Sequence, residues 1–188
     1  MIYEVPEKKA FDTPILGVFG TSSQQGKFTL QLALRYELQK RGFKVGQIGT
    51  EHQSGCFGID FTFPSGYGME KSITIPLDYH IPILRRVLSE MDKVGYDVII
   101  VGAQSGILNP NPYYYGNIVS EFFFTATIPD RTILIKNNFD DTTFLDRTRN
   151  YIYAKTGQKT FEEFLFEELK KSDFKSLITK LTEKIINL

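Results

Sequence analysis

The sequence is poor in several features that mark particular classes of protein. Its single cysteine, Cys56, excludes an internal disulfide framework and a zinc site built from cysteines. The formal net charge is zero and no long basic run occurs, so composition gives no support for binding to nucleic acid. No apolar stretch approaches the roughly 20 residues that span a bilayer, and the charged first residues do not resemble a signal peptide. We therefore expect a cytoplasmic protein that binds neither nucleic acid nor membrane.

The length of 188 residues suits one α/β domain with a full hydrophobic core. No internal repeat, low-complexity tract or linker divides the chain, and we predict a single domain over residues 1–188. Residues 1–13 are predicted to form a polar arm before the first strand. Residues 158–188 are predicted to form C-terminal helices.

Apolar patterning predicts a parallel sheet. The run Ile15–Phe19 is a strand, the helix after it extends to about Arg41, and Lys44–Ile48 is a second strand, so the two strands are parallel. Continuous apolar runs predict further buried strands at 97–101 and 131–135. A short strand is possible at 58–63, and helices are expected at about 77–94 and 117–126. The predicted fold is a three-layer α/β/α, P-loop NTPase-like domain with a mostly parallel sheet.

Two helices are expected at the C-terminal end. Thr160 with Glu163 fits a capping box for the first, and Ser172 or Asp173 fits the cap of the second. The aromatic side chains of the first helix are expected to pack on the sheet or on a second subunit: Phe161, Phe164 and Phe166.

The most informative stretch lies between the first strand and the first helix. A loop bounded by glycines, a Gly-Lys pair and a new helix make a cradle in which backbone N–H groups and the helix dipole face an anion. Lys27 is expected to neutralise the outer phosphates and to be the catalytic residue. We expect the whole loop to contact the phosphates: Gly20, Thr21, Ser22, Ser23, Gln24, Gln25, Gly26, Lys27, Phe28 and Thr29.

The loop departs from the Walker A pattern, which has four residues between its glycines and Ser or Thr directly after Lys. Here five residues intervene and Phe28 follows the lysine, with Thr29 one position later. Phe28 is expected to pack on the sheet. Thr29 is a candidate magnesium ligand, although it lies one residue beyond the ordinary metal position.

Other candidate residues follow the ends of later strands, where parallel sheets bind ligands. Glu51 and His52 directly follow the second strand and can reach a substrate above the sheet, but a solvated loop is the alternative for both. His52 and Gln53 are candidate substrate contacts, with His52 a possible general base. Asp60 is a candidate for substrate or metal, or else a turn residue. Gln104 is expected to contact a γ-phosphate or acyl group and Ser105 the substrate. Asn137 is expected to contact the nucleotide base.

Five segments, in this order, resemble the family named domain of unknown function 1611 (DUF1611). That family includes D-glutamate N-acetyltransferases, and its loop is similar to that of dethiobiotin synthetases. The resemblance implies a P-loop domain with the phosphate site at the loop of residues 20–29. The matching segments are Gly20-Thr21 with Gly26–Thr29, Thr50–Gly55, Asp60-Phe61 through Gly66, Val101–Pro110, and Pro129-Asp130.

The chain departs from the family pattern at three positions. Gly102 stands where the relatives carry the Glu expected to hold magnesium or its water. Ser22 replaces an Asp, and Asn109 replaces a His. The resemblance therefore implies the fold and the phosphate site, and leaves the reaction open.

Three functions remain as hypotheses. The first is nucleotide binding, ATP before GTP, with magnesium uncertain and with phosphoryl transfer or nucleotide-activated ligation and weak hydrolysis. The second is N-acyl transfer from acetyl-CoA, which the acetyltransferase members imply. The third is a non-catalytic nucleotide-sensing module that works with a separately encoded partner protein. The substrate would be a small molecule or peptide, and homo-oligomerisation is possible. The run Tyr113–Tyr115 is a candidate stacking or partner surface, with ordinary core and loop packing as the alternative.

Overall fold

The computed structural model of the protein describes residues 11–63, 79–111, 118–171 and 173–187. Within these residues the chain alternates strands with helices. The strands are β1 (Ile15–Gly20), β2 (Val45–Gly49), β3 (Phe61–Thr62), β4 (Val98–Gly102), β5 (Arg131–Lys136) and β6 (Glu162–Leu165). The helices are α1 (Lys27–Lys40), α2 (His80–Val94), α3 (Ile118–Thr127), α4 (Thr142–Thr156), α5 (Phe166–Leu169) and α6 (Phe174–Ile186), with a 3₁₀ helix at His52–Phe57.

The strands form one sheet in the order β3-β2-β4-β1-β5-β6, and every pairing between described strands is parallel. One hydrophobic core lies between the sheet and helices α1 and α6. The other lies between the sheet and helices α2, α3 and α4. This is the predicted three-layer α/β/α arrangement.

Strand β1 lies in the middle of the sheet, between β4 and β5. Side chains alternate along a strand, so Val18 enters the core under α1 while Phe19 enters the opposite core. Phe19 stacks on Phe124 of α3 with ring centroids 4.3 Å apart. Because both faces of β1 are buried, the loop that follows Gly20 leaves the sheet from a fixed position.

The first of the two predicted C-terminal helices is wrong over residues 162–165, and only Phe166–Leu169 of that segment are helical, as α5. Residues Glu162–Leu165 form the edge strand β6, with Phe164 opposite Ile135 in β5 and buried in the core under α1. Thr160 Oγ1 does lie 3.4 Å from the Glu163 carboxylate, but that carboxylate belongs to a strand and caps no helix. Pairing β6 with β5 satisfies backbone groups that an uncovered sheet edge would leave exposed. The second expected helix is confirmed as α6, with Asp173 at its N-cap position.

Helix α4 was not anticipated. Its N-cap is Asp141, whose side chain accepts a hydrogen bond of 2.8 Å from the Phe144 N–H. Its C-cap is Gly157 in the left-handed conformation, with φ of 69°. Both are ordinary helix boundary signals, and Phe144 and Ile152 supply the buried face.

Some expectations fall outside the described residues. These are the tyrosines at 113–115, Gly66, Ser172 and the first ten residues of the N-terminal arm. The helices of the described residues are too short or too polar for a bilayer crossing.

Candidate functional site

The loop of residues 21–26 runs from β1 to α1 and is held on both sides by its neighbours. The Thr21 N–H donates to the Ile135 carbonyl at the end of β5, at 2.9 Å. On the other side, the Ile107 N–H from the segment after β4 donates to the Gly20 carbonyl, also at 2.9 Å. The loop is therefore fixed at the carboxyl edge of the sheet, where ligands of such folds bind.

Two residues in this loop have left-handed backbone conformations. Gln24 has φ of 57° and Gly26, the N-cap of α1, has φ of 69°. Turns of this kind point successive N–H groups to the same side, a geometry that suits an anion. Ser23 and Gln24 are exposed, so the outer half of the loop is open to solvent.

Lys27 begins α1 and folds back over the loop. Its side chain is 5% exposed, and its Nζ donates a hydrogen bond of 2.6 Å to the Ser22 carbonyl. Burial lowers the pKa of Lys27 to about 8, and the negative charge of Glu51 opposes part of this shift. The ammonium group is thus held at the loop in a partly desolvated state, without a carboxylate in ion-pair contact among the described residues.

Gln25 also turns inward, and it is 1% exposed. Its Oε1 accepts the Ser22 N–H at 2.9 Å, and its Nε2 donates to Thr21 Oγ1 at 2.9 Å. A side chain at Gly20 would collide with Gln25 Oε1, so glycine at position 20 makes room for this amide. The sequence indicates the loop but not this conformation.

Two of the predicted residues from later loops reach this region. Asn137 Nδ2 donates to Ser22 Oγ at 3.2 Å, which places the residue after β5 against the loop. Gln104 Nε2 donates to the Thr50 carbonyl and to Glu51 Oε2, both at 3.0 Å. Gln104 thereby positions the carboxylate whose charge acts on Lys27. Sequence reasoning treated Glu51 as a solvated loop residue.

The remaining predicted contacts are less directly connected to the loop. Ser105 is half-buried, and its Oγ has no hydrogen-bond partner among the described residues. His52 is the first residue of the 3₁₀ helix, and Gln53 beside it is exposed. Phe28 does not pack on the sheet as expected. Its ring meets the ring of Phe57 edge to face, with centroids 5.6 Å apart.

Asp60 holds three elements of the fold together. Its Oδ2 accepts from the Gln47 N–H in β2 at 2.9 Å and pairs with Arg35 of α1 at 3.2 Å. Its Oδ1 accepts from the Tyr96 hydroxyl, just before β4, at 2.7 Å. Burial and this hydrogen bond raise the pKa of Tyr96 to about 12. These contacts give Asp60 a structural role at the β2 edge.

The residues present do not fit the magnesium site of a P-loop NTPase, which uses a hydroxyl from the loop and an acidic residue at a strand end. The position after Lys27 carries Phe28, and Thr29 is exposed. A side chain at Gly102 would collide with the Val18 carbonyl and the Gln31 amide. In the described part of the chain, no group of three or more His, Cys, Asp and Glu side chains is placed to hold a metal.

The polar layer beneath Gly102 was missed by sequence reasoning. Gln31 of α1 and Gln47 of β2 are both buried, and Gln47 Nε2 donates to Gln31 Oε1 at 3.3 Å. Gln31 fills space that a side chain at position 102 would need. The glutamine at position 31, on the buried face of α1, is the signal that could have indicated that Gly102 replaces the family's Glu.

A family model described as the P-loop domain of a domain of unknown function, DUF1611, matches residues 4–142. The chain belongs to this family. No curated protein matches the sequence. Among solved structures, the chain is similar to a DUF1611 family protein from Anabaena variabilis, with a TM-score of 0.63, 12% identity, and coverage of 92% of this chain and 51% of that one. The chain therefore spans about half the length of this relative, and at this identity the likeness concerns the fold.

Two further solved structures are similar at a lower level. One is the protein PAB0955 of Pyrococcus abyssi, a GTPase in apo form, with a TM-score of 0.48, 12% identity and coverage of 78% of this chain and 64% of that one. The other is the MinD cell division protein of Aquifex aeolicus, with a TM-score of 0.46, 13% identity and coverage of 89% and 79%.

Proposed function

We propose that this DUF1611 P-loop domain binds the phosphates of a nucleoside triphosphate, ATP before GTP, at residues 20–29. The observation that carries the proposal is the Lys27 ammonium, buried at the loop with a backbone carbonyl as its hydrogen-bond partner. A buried cation without a counter-charge in contact is costly, and an incoming phosphate would relieve that cost. The loop N–H groups and the N-terminus of α1 add to the attraction.

The preference for ATP rests on the segment after β5. Lys136-Asn137-Asn138 does not spell the N-K-x-D motif that reads guanine. Asn137 lies against the loop through its hydrogen bond to Ser22. We place the base of the nucleotide near Asn137 and the phosphates at Lys27.

If the protein catalyses a reaction, we propose phosphoryl transfer or nucleotide-activated ligation with weak hydrolysis. Such catalysis consists mainly of positioning and charge neutralisation, which Lys27 supplies. Gly102 provides no carboxylate at the end of β4, which is why we expect hydrolysis to be weak. Phe28 and Gly102 replace the usual metal donors, so charge neutralisation in this proposal falls to Lys27.

A second candidate is binding of acetyl-CoA for N-acyl transfer. It is favoured by the same missing donors at positions 28 and 102, because the phosphates of coenzyme A can bind without a protein-held cation. Lys27 and the loop N–H groups would then hold those phosphates. The acyl group would lie toward Gln104.

Calorimetric titration with ATP, GTP and acetyl-CoA, each with and without Mg²⁺, distinguishes these proposals. Tighter binding of ATP than of acetyl-CoA, with or without Mg²⁺, supports the first, and preferential, metal-indifferent binding of acetyl-CoA supports the second. Binding of ATP without turnover supports a sensing module.

Lys27→Ala should weaken binding about 100-fold, since it removes a charged hydrogen-bond donor. The matched variant Lys40→Ala, an exposed lysine at the other end of α1, should bind as the unmodified protein does. Equal affinities in the two variants would refute the phosphate site.

A further inference from the structure

The Gln25 side chain takes up hydrogen-bonding capacity that the loop would offer to an anion. The Ser22 N–H donates to Gln25 Oε1 at 2.9 Å, so this backbone donor is already used. The Oε1 atom is a neutral acceptor, chemically comparable to one phosphate oxygen. Thr21 Oγ1 holds the other end of the amide at 2.9 Å, which fixes its orientation.

The surroundings accommodate this conformation closely. Gln25 is 1% and Thr21 2% exposed, so the amide is sealed from solvent. A methyl group at Gly20 would collide with Gln25 Oε1, and the strand end therefore leaves space for the amide oxygen. Gln24, the preceding residue, is exposed and has φ of 57°, which turns the chain so that the next side chain can enter the loop.

We infer that the Gln25 side chain is an internal ligand of the phosphate loop, which an incoming phosphate has to displace, and that this residue therefore sets the affinity of the site. The inference rests on the proposed function, since it concerns the same loop. Phosphate competes with Gln25 for the Ser22 N–H and then meets the Lys27 ammonium. The fraction of molecules with an open loop limits the apparent affinity.

Variants of Gln25 test this directly by calorimetric titration with ATP at neutral pH. Gln25→Ala removes the competing acceptor, and binding should become about tenfold tighter. Gln25→Glu keeps the length but places a charged acceptor at the Ser22 N–H, and binding should become about tenfold weaker or worse. Gln39→Ala, an exposed glutamine on α1, should bind as the unmodified protein does.

If Gln25 competes with phosphate, the two variants should change the affinity for ATP in opposite directions, which distinguishes competition from a scaffolding role. If Gln25 only supported the loop, both variants would bind more weakly, and that result would overturn the inference while leaving the phosphate site intact. If neither the unmodified protein nor Gln25→Ala bound ATP, GTP or acetyl-CoA, the proposed function would fail together with it. Thermal denaturation without ligand establishes that each variant is folded.

A measurement on the unmodified protein provides a second test that needs no folded variant. In ¹⁵N NMR spectra, the Gln25 side-chain NH₂ signals should shift strongly when ATP is added, because the amide leaves Thr21 and Ser22. Signals that stay in place at saturating ATP would overturn the inference.

Discussion

Two lysines at the carboxyl edge of the sheet differ in where their counter-charge comes from. Lys136, the last residue of β5, pairs with the Glu163 carboxylate at 2.9 Å. Arg149 donates to both oxygens of the same carboxylate at 2.7 Å. Lys27 instead donates to a backbone carbonyl. A cation that is neutralised inside the fold stabilises it, whereas one that is left without a contacting anion is available to a ligand.

The pKa shifts express the same difference. Hydrogen bonds from Arg149 and Lys136 lower the pKa of Glu163 to about 2, so the charged cluster favours the folded state. Burial lowers the pKa of Lys27 to about 8, so the fold disfavours that charge. The first arrangement is structural, and the second fits a binding site.

Removing the shared carboxylate should have the largest effect on stability. Glu163→Ala leaves Arg149 and Lys136 without their partner, and we expect a loss of about 2 kcal/mol in the free energy of unfolding. The control is Glu167→Ala, an exposed carboxylate paired with Lys170, with an expected loss under about 0.5 kcal/mol. Urea denaturation of both variants gives the comparison.

The loss should also depend on pH with a definite sign. The Glu163 pKa is lowered on folding, so its contribution is present above the unfolded value of 4.5 and disappears as pH falls toward about 2. The difference between Glu163→Ala and the unmodified protein should therefore shrink in acid. A difference that stayed constant from neutral pH to pH 2.5 would contradict the ionic origin.

Nucleotide affinity should fall in alkaline solution. With the pKa of Lys27 at about 8, the free protein loses its ammonium above that pH. The phosphates of ATP stay fully ionised there, so the affinity should decrease by up to about tenfold per pH unit. Titrations from pH 7 to 10 measure this.

A charge-retaining variant provides the control. In Lys27→Arg the guanidinium stays protonated throughout the range, so the affinity should be nearly independent of pH even if it is weaker overall. Parallel pH profiles in the two proteins would argue against Lys27 as the titrating group.

Replacing each lysine by methionine compares the two sites directly and should give the smallest effects. Lys136→Met leaves Glu163 with only Arg149 and should cost about 1 kcal/mol. Lys27→Met removes a desolvated charge while keeping most of the side-chain volume, so stability at neutral pH should be unchanged or up to about 1 kcal/mol higher. Any gain should shrink as pH rises above about 8, where Lys27 is neutral in the folded protein, and should vanish only above 10.5, where the lysine is neutral in the unfolded chain as well. Equal losses of unfolding free energy in the two variants would contradict the distinction between a structural lysine at position 136 and a ligand-binding lysine at position 27.

Apolar runs were enough to predict the central strands, because a strand that is buried on both faces needs apolar residues at nearly every position. They also located α1, where Gly26 and Lys27 mark the start. The capping-box pattern gave the wrong element at residues 160–165. A Thr followed three residues later by Glu can cap a helix, but here the Thr160 hydroxyl hydrogen-bonds to a Glu163 that belongs to the edge strand β6. Phe164 decided the outcome by entering the core beside β5. Helix α4 had recognisable boundaries at Asp141 and Gly157 that the sequence reading did not use.

For the site, the sequence located the loop and its lysine but not the state of the side chains. The inward turn of Gln25 depends on Gly20 and Thr21 in three dimensions. The pKa of Lys27 depends on its burial and, to a lesser degree, on Glu51, which Gln104 holds. Asp60 shows the converse. A carboxylate at a strand end suited a ligand, but Asp60 directly precedes β3, and its oxygens are occupied by Arg35 and two hydrogen bonds.

The short helix α5 lies outside the matched family region of residues 4–142, yet it borders the loop of residues 21–26. A methyl group at Gly26 would lie 3.5 Å from Phe166 and 3.6 Å from Leu169. The turn from the loop into α1 is thus bordered by two side chains from a segment much later in the chain. We therefore expect substitutions at Phe166 or Leu169 to affect the conformation of the loop without altering a residue of the loop itself.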